Sequence, residues 1–172
     1  MNEMDGVWCE RVFAPWGDME QEMRQAQIPL YALESKDPVK DFDLVAFTIG
    51  YEMSYTNILN MLRLSNVPLY AAERKGLKNI VFAGGVCAFN PEPLADFVDF
   101  FALGEGEDIT VEIVALYDRA KAEDWSKEKF LLEVSKLEGV YVPSYYEPEY
   151  NENGTLAHIK RKEHAPQTVT KR

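Results

Sequence analysis

The segment that decides the predicted fold is Phe42-Asp43-Leu44-Val45-Ala46-Phe47-Thr48-Ile49-Gly50. It is a nearly unbroken apolar run that contains one acid, Asp43, and ends at a glycine. An apolar run of this length is typical of a strand buried on both faces, as in a parallel sheet covered by helices. We therefore predict a central parallel strand over Phe42–Thr48.

An amphipathic helix is predicted directly after this strand. Ser54 is a candidate N-cap, because serine side chains accept hydrogen bonds from the first free N–H groups of a helix. The apolar residues that follow recur at the i, i+3, i+4, i+7 spacing of one helical face. They are Tyr55, Ile58, Leu59 and Leu62. A strand followed by a helix is the unit of a parallel sheet.

The same alternation recurs along the chain. The predicted strands are Val7–Phe13, Phe42–Thr48, Asn79–Ala83 and Val98–Ala102, with a shorter candidate at Leu30–Leu33. Further predicted helices follow Asp18, which forms a capping-box pattern with Gln21, then Gly106, and then the N-cap Ser126. This order predicts the α/β class, with a Rossmann-like (flavodoxin-like) parallel sheet and helices on both faces.

The character of the sequence changes at Gly139. Tyrosines, prolines and the turn pair Asn153-Gly154 predict an extended carboxyl-terminal arm that contains a hairpin. We therefore expect a Rossmann-like domain over residues 1–138 and an extended arm or linker over residues 139–172.

Composition limits the classes of partner. The 29 acidic and 18 basic side chains give a net charge of −11, which disfavours nucleic acid and anionic membranes. The apolar runs are shorter than the roughly 20 residues that span a bilayer, and the start of the chain lacks the basic and apolar regions of a signal peptide. Together with the low cysteine content, these features lead us to expect a cytoplasmic protein. The two cysteines, Cys9 and Cys87, lie far apart and form neither a disulfide framework nor a four-cysteine zinc site.

Three glycine-marked loops are the candidate binding site. They are Thr48–Ser54, Gly84–Asn90 and Gly104–Asp108, and each follows a predicted strand. Ligands of open parallel sheets bind at the carboxyl ends of the strands, where glycine lets them approach the backbone closely. Tight strand-to-helix turns also use glycine without any ligand, so a single loop would favour a purely structural interpretation. Three loops together indicate a binding edge.

No catalytic or metal-binding residues are predicted. Glu107 and Asp108 suit the positive end of a helix dipole. Cys87 is interpreted as a packed thiol. His158 and His164 lie in the polar arm and are interpreted as solvent-exposed. Gly104 and Gly106 alone do not form a dinucleotide-binding fingerprint, and the sequence contains no P-loop.

Four stretches carry a resemblance to a known family. They are residues 7–16 (VWCERVFAPW), 55–62 (YTNILNML), 84–93 (GGVCAFNPEP) and 104–107 (GEGE). Together they resemble the amino-terminal, cobalamin-binding-like domain of radical S-adenosylmethionine proteins. The resemblance extends from about Val7 to the arm, nearly the whole chain.

The resemblance implies that catalysis belongs to a following barrel, in cis or on a separate chain. In the family, the CxxxCxxC motif of that barrel binds a four-iron cluster that cleaves S-adenosylmethionine, and this motif is absent from the chain. Cobalamin would bind without a histidine ligand, since neither histidine lies in an Asp-x-His-x-x-Gly motif. The residues implied or proposed to contact a cofactor are Thr48, Gly50, Gly84, Gly85, Gly104, Glu105 and Gly106.

Two other interpretations of the function of this chain remain open. The chain could be a purely structural interaction domain with no ligand, or a freestanding flavodoxin-like enzyme.

Family members begin earlier, with a further strand and helix, so the resemblance also implies truncation at both ends. A missing inner strand would leave unpaired amides. We therefore expect marginal stability, self-association, or closure of Val7–Phe13 on Phe42–Thr48.

Overall fold

Four strands form the main sheet of the computed structural model, which describes residues 1–172, and they lie in the order β1-β2-β3-β4. They are β1 (Leu44–Thr48), β2 (Ile80–Gly84), β3 (Phe100–Ala102) and β4 (Val140–Tyr141). β1, β2 and β3 run parallel, and β4 pairs antiparallel with β3. The predicted α/β class, with a mainly parallel Rossmann-like sheet, is confirmed.

Helices and a hairpin surround this sheet. The α-helices are α1 (Gly17–Gln25), α2 (Tyr55–Leu64), α3 (Gly106–Ala122) and α4 (Lys127–Val134). Short 3-10 helices connect the elements at Val39–Asp41, Glu52–Ser54, Ala71–Glu73, Val86–Phe89, Glu92–Leu94 and Pro143–Tyr145. A separate antiparallel hairpin consists of β5 (Tyr146–Tyr150) and β6 (Leu156–Arg161). Its turn contains Asn153 and Gly154, where the sequence predicted one.

The core lies on both faces of the sheet, because successive residues of a strand point to opposite sides. One layer packs Phe82 and Phe100 against α3, α4 and the segment that follows β4. The opposite layer packs Val81 and Phe101 against α1 and α2. The prediction of helices on both faces is therefore correct.

β1 is an edge strand, whereas its apolar sequence predicted a central one. Its partner in the sheet is β2, and its residues are only partly buried or exposed. β2 is flanked by strands on both sides, and its first four residues are fully buried. The apolar run therefore predicted neither the partial exposure of β1 nor the number of strands that pair with it.

The outer edge of β1 leaves backbone groups without a partner strand. The N–H of Ile80 donates to the carbonyl of Asp43 at 3.0 Å, so the odd-numbered residues of β1 face β2. The even-numbered residues direct their N–H and C=O groups away from the sheet, and no backbone hydrogen bond joins them to another segment. They are Leu44, Ala46 and Thr48.

The predicted strand at Val7–Phe13 is wrong, because this segment lies outside the sheet and has no strand partner. It is held instead to the loop after α1. The N–H of Arg11 donates to the carboxylate of Glu34 at 2.9 Å. Trp8 and Phe13 are 74% and 64% exposed. The segment therefore does not pair with β1 as a neighbouring strand.

The region between α1 and β1 also differs from its prediction. Leu30–Leu33 forms no strand but a single bridge between Tyr31 and Pro38. Two backbone hydrogen bonds flank this bridge: the N–H of Ala32 donates to the carbonyl of Asp37, and the N–H of Val39 donates to the carbonyl of Leu30, each at 2.9 Å. The candidate strand thus reduces to a bridged loop that packs beside α2.

One of the three predicted helix N-caps forms as the sequence predicts. Ser126 caps α4 as predicted, since its hydroxyl accepts a hydrogen bond from the N–H of Lys129. The predicted cap of α1 is wrong: Trp16 is the N-cap, and Asp18 instead accepts from the N–H of Met19 at 2.8 Å. Ser54 occupies the N-cap position of α2, but its hydroxyl donates to a preceding carbonyl.

The arm contributes to the main body of the protein. β4 lies directly after Gly139 and joins the sheet, and Val142, Tyr145 and Ala165 belong to one of the two core layers. The division of the chain at residues 138 and 139 remains a prediction.

Candidate functional site

The three predicted glycine loops begin at one end of the sheet. Thr48 lies directly opposite Gly84 in the parallel pair, and a Cβ on Gly84 would lie 3.3 Å from the carbonyl oxygen of Ala102. The glycine loops follow these three residues within two positions. The structure thus brings the strand ends together, while binding of a cofactor to them stays a prediction.

The first two loops interlock through Gly85. This glycine has φ +97°, and a Cβ there would lie 2.8 Å from the carbonyl oxygen of Ile49. That same carbonyl accepts a hydrogen bond from the N–H of Cys87 at 2.9 Å. Gly85 is therefore required for close packing of one loop on the other. By contrast, a Cβ on Gly50 would meet open space.

The third loop is covered by the chain itself. The N–H of Arg172 donates to the carbonyl of Leu103, and the carbonyl of Arg172 accepts from the N–H of Glu105. A Cβ on Gly104, at φ +110°, would collide with the Arg172 backbone. The guanidinium of Arg172 also pairs with Glu112 at 2.6 Å, which lowers the pKa of that carboxyl. The Arg172 backbone therefore already bonds the Leu103 carbonyl and the Glu105 N–H.

Exposed apolar side chains mark the first two loops. We name Tyr51, Met53, Val86 and Phe89 the strand-end patch. They are 63%, 72%, 70% and 56% exposed, respectively. Sequence reasoning selected the glycines of these loops and missed the apolar residues beside them. The signal that could have found them is the apolar residue directly after each glycine, Tyr51 after Gly50 and Val86 after Gly85.

Cys87 is a packed thiol rather than a reactive one. Its side chain is buried, and burial raises the pKa of the thiol, as does the nearby Glu52 carboxylate. The thiolate is the nucleophilic and metal-binding form of cysteine, so this environment disfavours both roles. The Tyr55 hydroxyl lies 3.2 Å from the carbonyl oxygens of both Cys87 and Asn90, to either of which it can donate.

The other residues considered in the sequence analysis lie away from the strand ends or in the first turn of a helix. His158 lies 3.2 Å from Glu149 across the exposed hairpin, and His164 packs its ring edge-on against Tyr145. Glu107 and Asp108 lie in the first turn of α3. The structure brings no group of three or more His, Cys, Asp or Glu side chains into a position to hold a metal ion. None of the helices is both long and apolar enough to span a bilayer.

Comparison with known proteins gives one family and one relative. The family model described as "Radical SAM proteins, N-terminal" matches residues 1–143. Over 95 residues the chain is 33% identical to the uncharacterized protein MJ0966 of Methanocaldococcus jannaschii. This stretch covers 53% of the chain and 20% of that protein. No solved structure matches the chain.

Proposed function

Because the chain belongs to the family of amino-terminal domains of radical S-adenosylmethionine proteins, we propose that it docks onto a catalytic radical S-adenosylmethionine domain through the carboxyl ends of its strands. The matched stretch covers a fifth of the length of its relative, which leaves room there for further domains. The catalytic partner would lie in cis or on a separate chain.

The exposure of the strand-end patch is the observation that carries this proposal. Four apolar side chains, two of them aromatic and one a methionine, project from two adjacent loops. Aromatic residues and methionine are enriched in the buried centres of protein interfaces. Exposed apolar side chains on two neighbouring loops that hydrogen-bond to each other are suited to burial against another protein.

We assign the chemistry to the partner domain. A four-iron cluster in such a protein is held by cysteine thiolates. This chain offers Cys9, which is exposed, and Cys87, which is buried, on separate segments. The iron–sulfur cluster and S-adenosylmethionine would therefore be bound by the partner. The role of this chain would be to position that domain or to cover its active site.

The residues at the strand ends do not fit a histidine-ligated cobalamin. Both histidines lie in the arm, one beside Glu149 and one against Tyr145. The Arg172 backbone fills the space beside Gly104 and accepts the N–H of Glu105, so neither group is free for a corrin, whereas a Cβ on Gly106 would meet only Thr110 at 3.9 Å. In the first two loops, Ile49 fills the space beside Gly85 and Ala102 lies 3.3 Å from a Cβ on Gly84, so the backbone is open to a ligand beside Gly50. These observations favour a structural interaction domain over a cobalamin site built from Thr48, Gly50, Gly84 and Gly85.

Docking is tested with the CxxxCxxC-containing domain encoded by the same or a neighbouring reading frame. Val86→Asp and Phe89→Asp place a charge in the proposed interface and should each raise the dissociation constant at least about tenfold. Ile159→Asp is the matched control, because Ile159 is 50% exposed in the hairpin. Unchanged binding by both patch variants, or equal weakening by the control, would refute docking through this edge.

Cobalamin is tested separately by optical titration of the full chain. We expect no change in the cobalamin spectrum upon addition of protein. A saturable change that Gly84→Ala abolishes would establish a corrin site at the first two loops and would overturn our preference for a protein-binding edge.

A further inference from the structure

A basic cavity lies at the opposite end of the sheet from the strand-end patch. It has a volume of about 600 Å³ and is lined by residues that precede β2 and β3, residues of α4 and residues of the arm. Five of the chain's 18 Lys and Arg residues line it, against two of the 29 acids. The cavity is therefore locally positive in a protein whose net charge is −11. Its size suits a small molecule.

The floor of the cavity holds an excess buried positive charge. Asp99 lies 3.0 Å from the guanidinium of Arg74 and 2.5 Å from the ammonium of Lys127. All three side chains are at most 8% exposed. Two cations thus share one carboxylate in a region with little water. An unbalanced buried charge is costly, and an external anion would offset it.

These floor residues have no donors left for a ligand. The ammonium of Lys127 donates to the carbonyls of Ala71 and Arg74 at 2.7 Å, in addition to its contact with Asp99. The Arg74 guanidinium is fully used by Asp99 and by carbonyl oxygens of the preceding and following loops. Their contribution is a fixed positive potential rather than direct contact.

Side chains on the walls of the cavity can contact a ligand directly. Lys75, Lys129 and Lys162 line the cavity and form no ion pair within 4.0 Å. The ammonium of Lys129 lies 4.1 Å from the centre of the Trp125 ring and that of Lys162 lies 5.8 Å from the Tyr145 ring, and each keeps N–H donors that do not face the ring. Tyr145 lines it as well, and its hydroxyl makes no hydrogen bond to the protein and is not fully buried. Glu128 is the acid on the wall, and it neutralises part of this charge. His164 completes the titratable lining.

We propose that this cavity binds a phosphorylated small molecule, whose phosphate oxygens accept hydrogen bonds from Lys75, Lys129, Lys162 and Tyr145. Lysine ammonium groups bind phosphate as point charges, whereas planar carboxylates favour the guanidinium fork, which is already occupied in Arg74. The concave shape and small volume favour a small molecule over a nucleic acid strand. This site is independent of docking at the strand-end patch.

The test measures binding of sodium tripolyphosphate to the full chain by calorimetry, in sodium chloride of matched ionic strength. We expect saturable binding and a raised melting temperature. Lys129→Gln with Lys162→Gln should weaken binding at least about tenfold. Lys40→Gln with Lys160→Gln is the matched control, since both lysines are exposed and lie outside the cavity lining. It should leave binding within about twofold.

Three results would overturn the proposal. The first is equal binding by the cavity variant and the wild-type chain. The second is equal weakening by the control pair, which would indicate diffuse surface charge. The third is tighter binding of a single-stranded oligonucleotide that displaces tripolyphosphate and depends on Lys160, which would assign the surface to nucleic acid. If the cavity pair lowers the melting temperature, Tyr145→Phe and Lys75→Gln provide the same comparison singly.

Discussion

The carboxylate of Asp99 lies 3.0 Å from the guanidinium of Arg74, and both side chains are 1% exposed. Asp99 also accepts the N–H of Val81 at 2.8 Å, so the pair ties the segment before β3 to β2. A buried charge that loses one of its partners has no water to replace it.

Replacing Arg74 should therefore be strongly destabilising. Arg74→Met keeps much of the volume and leaves Asp99 paired with Lys127. It removes the donors to Asp99 and to the carbonyls of Pro68 and Phe97, and it should lower the free energy of unfolding by at least about 2 kcal/mol. Urea denaturation measures this change. The control is Lys78→Met, which breaks a 3.9 Å exposed pair with Asp41 and should cost less than about 1 kcal/mol. Equal effects of the two substitutions would show that burial of the pair does not matter.

Gly85 and Gly50 should respond differently to alanine. Gly85→Ala forces a left-handed conformation and a contact of 2.8 Å with Ile49, so it should destabilise the fold by at least about 2 kcal/mol. Gly50→Ala meets open space and should change stability by less than about 1 kcal/mol. Thermal melting compares them. Similar melting temperatures for both variants would contradict the interlocked-loop interpretation.

The open edge of β1 should cause self-association. Unpaired strand edges recruit other strands, so sedimentation should show concentration-dependent association of the wild-type chain. Ala46→Pro removes only an outward N–H and should reduce association at little cost in stability. Val45→Pro removes an N–H that faces β2 and should destabilise by about 1–3 kcal/mol. A wild-type chain that stays monomeric at all concentrations would refute the prediction.

Tyr145 should make stability sensitive to alkaline pH. Burial raises the pKa of its hydroxyl to about 12, with a smaller contribution from Glu128, whereas the unfolded value is about 10. The unfolded state therefore releases this proton first, and the stabilisation present below pH 10 is lost as pH rises toward 12.

Tyr145→Phe is the variant that isolates this effect. Because the hydroxyl makes no hydrogen bond to the protein, the substitution should be nearly neutral at neutral pH and should reduce the loss of stability between pH of about 10 and about 12. Urea unfolding at a series of pH values measures the slope. An identical pH dependence in wild type and variant would exclude a contribution from this residue.

The elements that the sequence predicted correctly are those with a local cause. Ser126 caps α4 because its hydroxyl reaches an N–H three residues away, and Asn153-Gly154 forms a turn because of its own backbone preferences. Gly84 and Gly85 were selected for their position after a strand. Their role in packing depends on residues far away in the sequence: Gly85 packs on Ile49, 36 positions earlier, and Gly84 packs on Ala102, 18 positions later.

The predictions that failed depended on partners distant in the sequence. Val7–Phe13 alternates as a strand does, but a strand exists only when another strand bonds to it, and Glu34 holds this segment elsewhere. The position of β1 at the edge was equally hidden, because its side chains are apolar whether one or two strands flank it.

The sequence by itself determined the α/β alternation, the parallel direction of the first three strands and the glycine loops at their ends, because hydrophobic periodicity and turn chemistry act over a few residues. Only the tertiary structure decided that Arg172 covers Gly104, that β1 has an open edge, and that Arg74, Asp99 and Lys127 form the floor of a basic cavity. Each of these features joins residues that are far apart in the chain. Contacts of that kind arise from how the layers pack, which no local pattern of residues encodes.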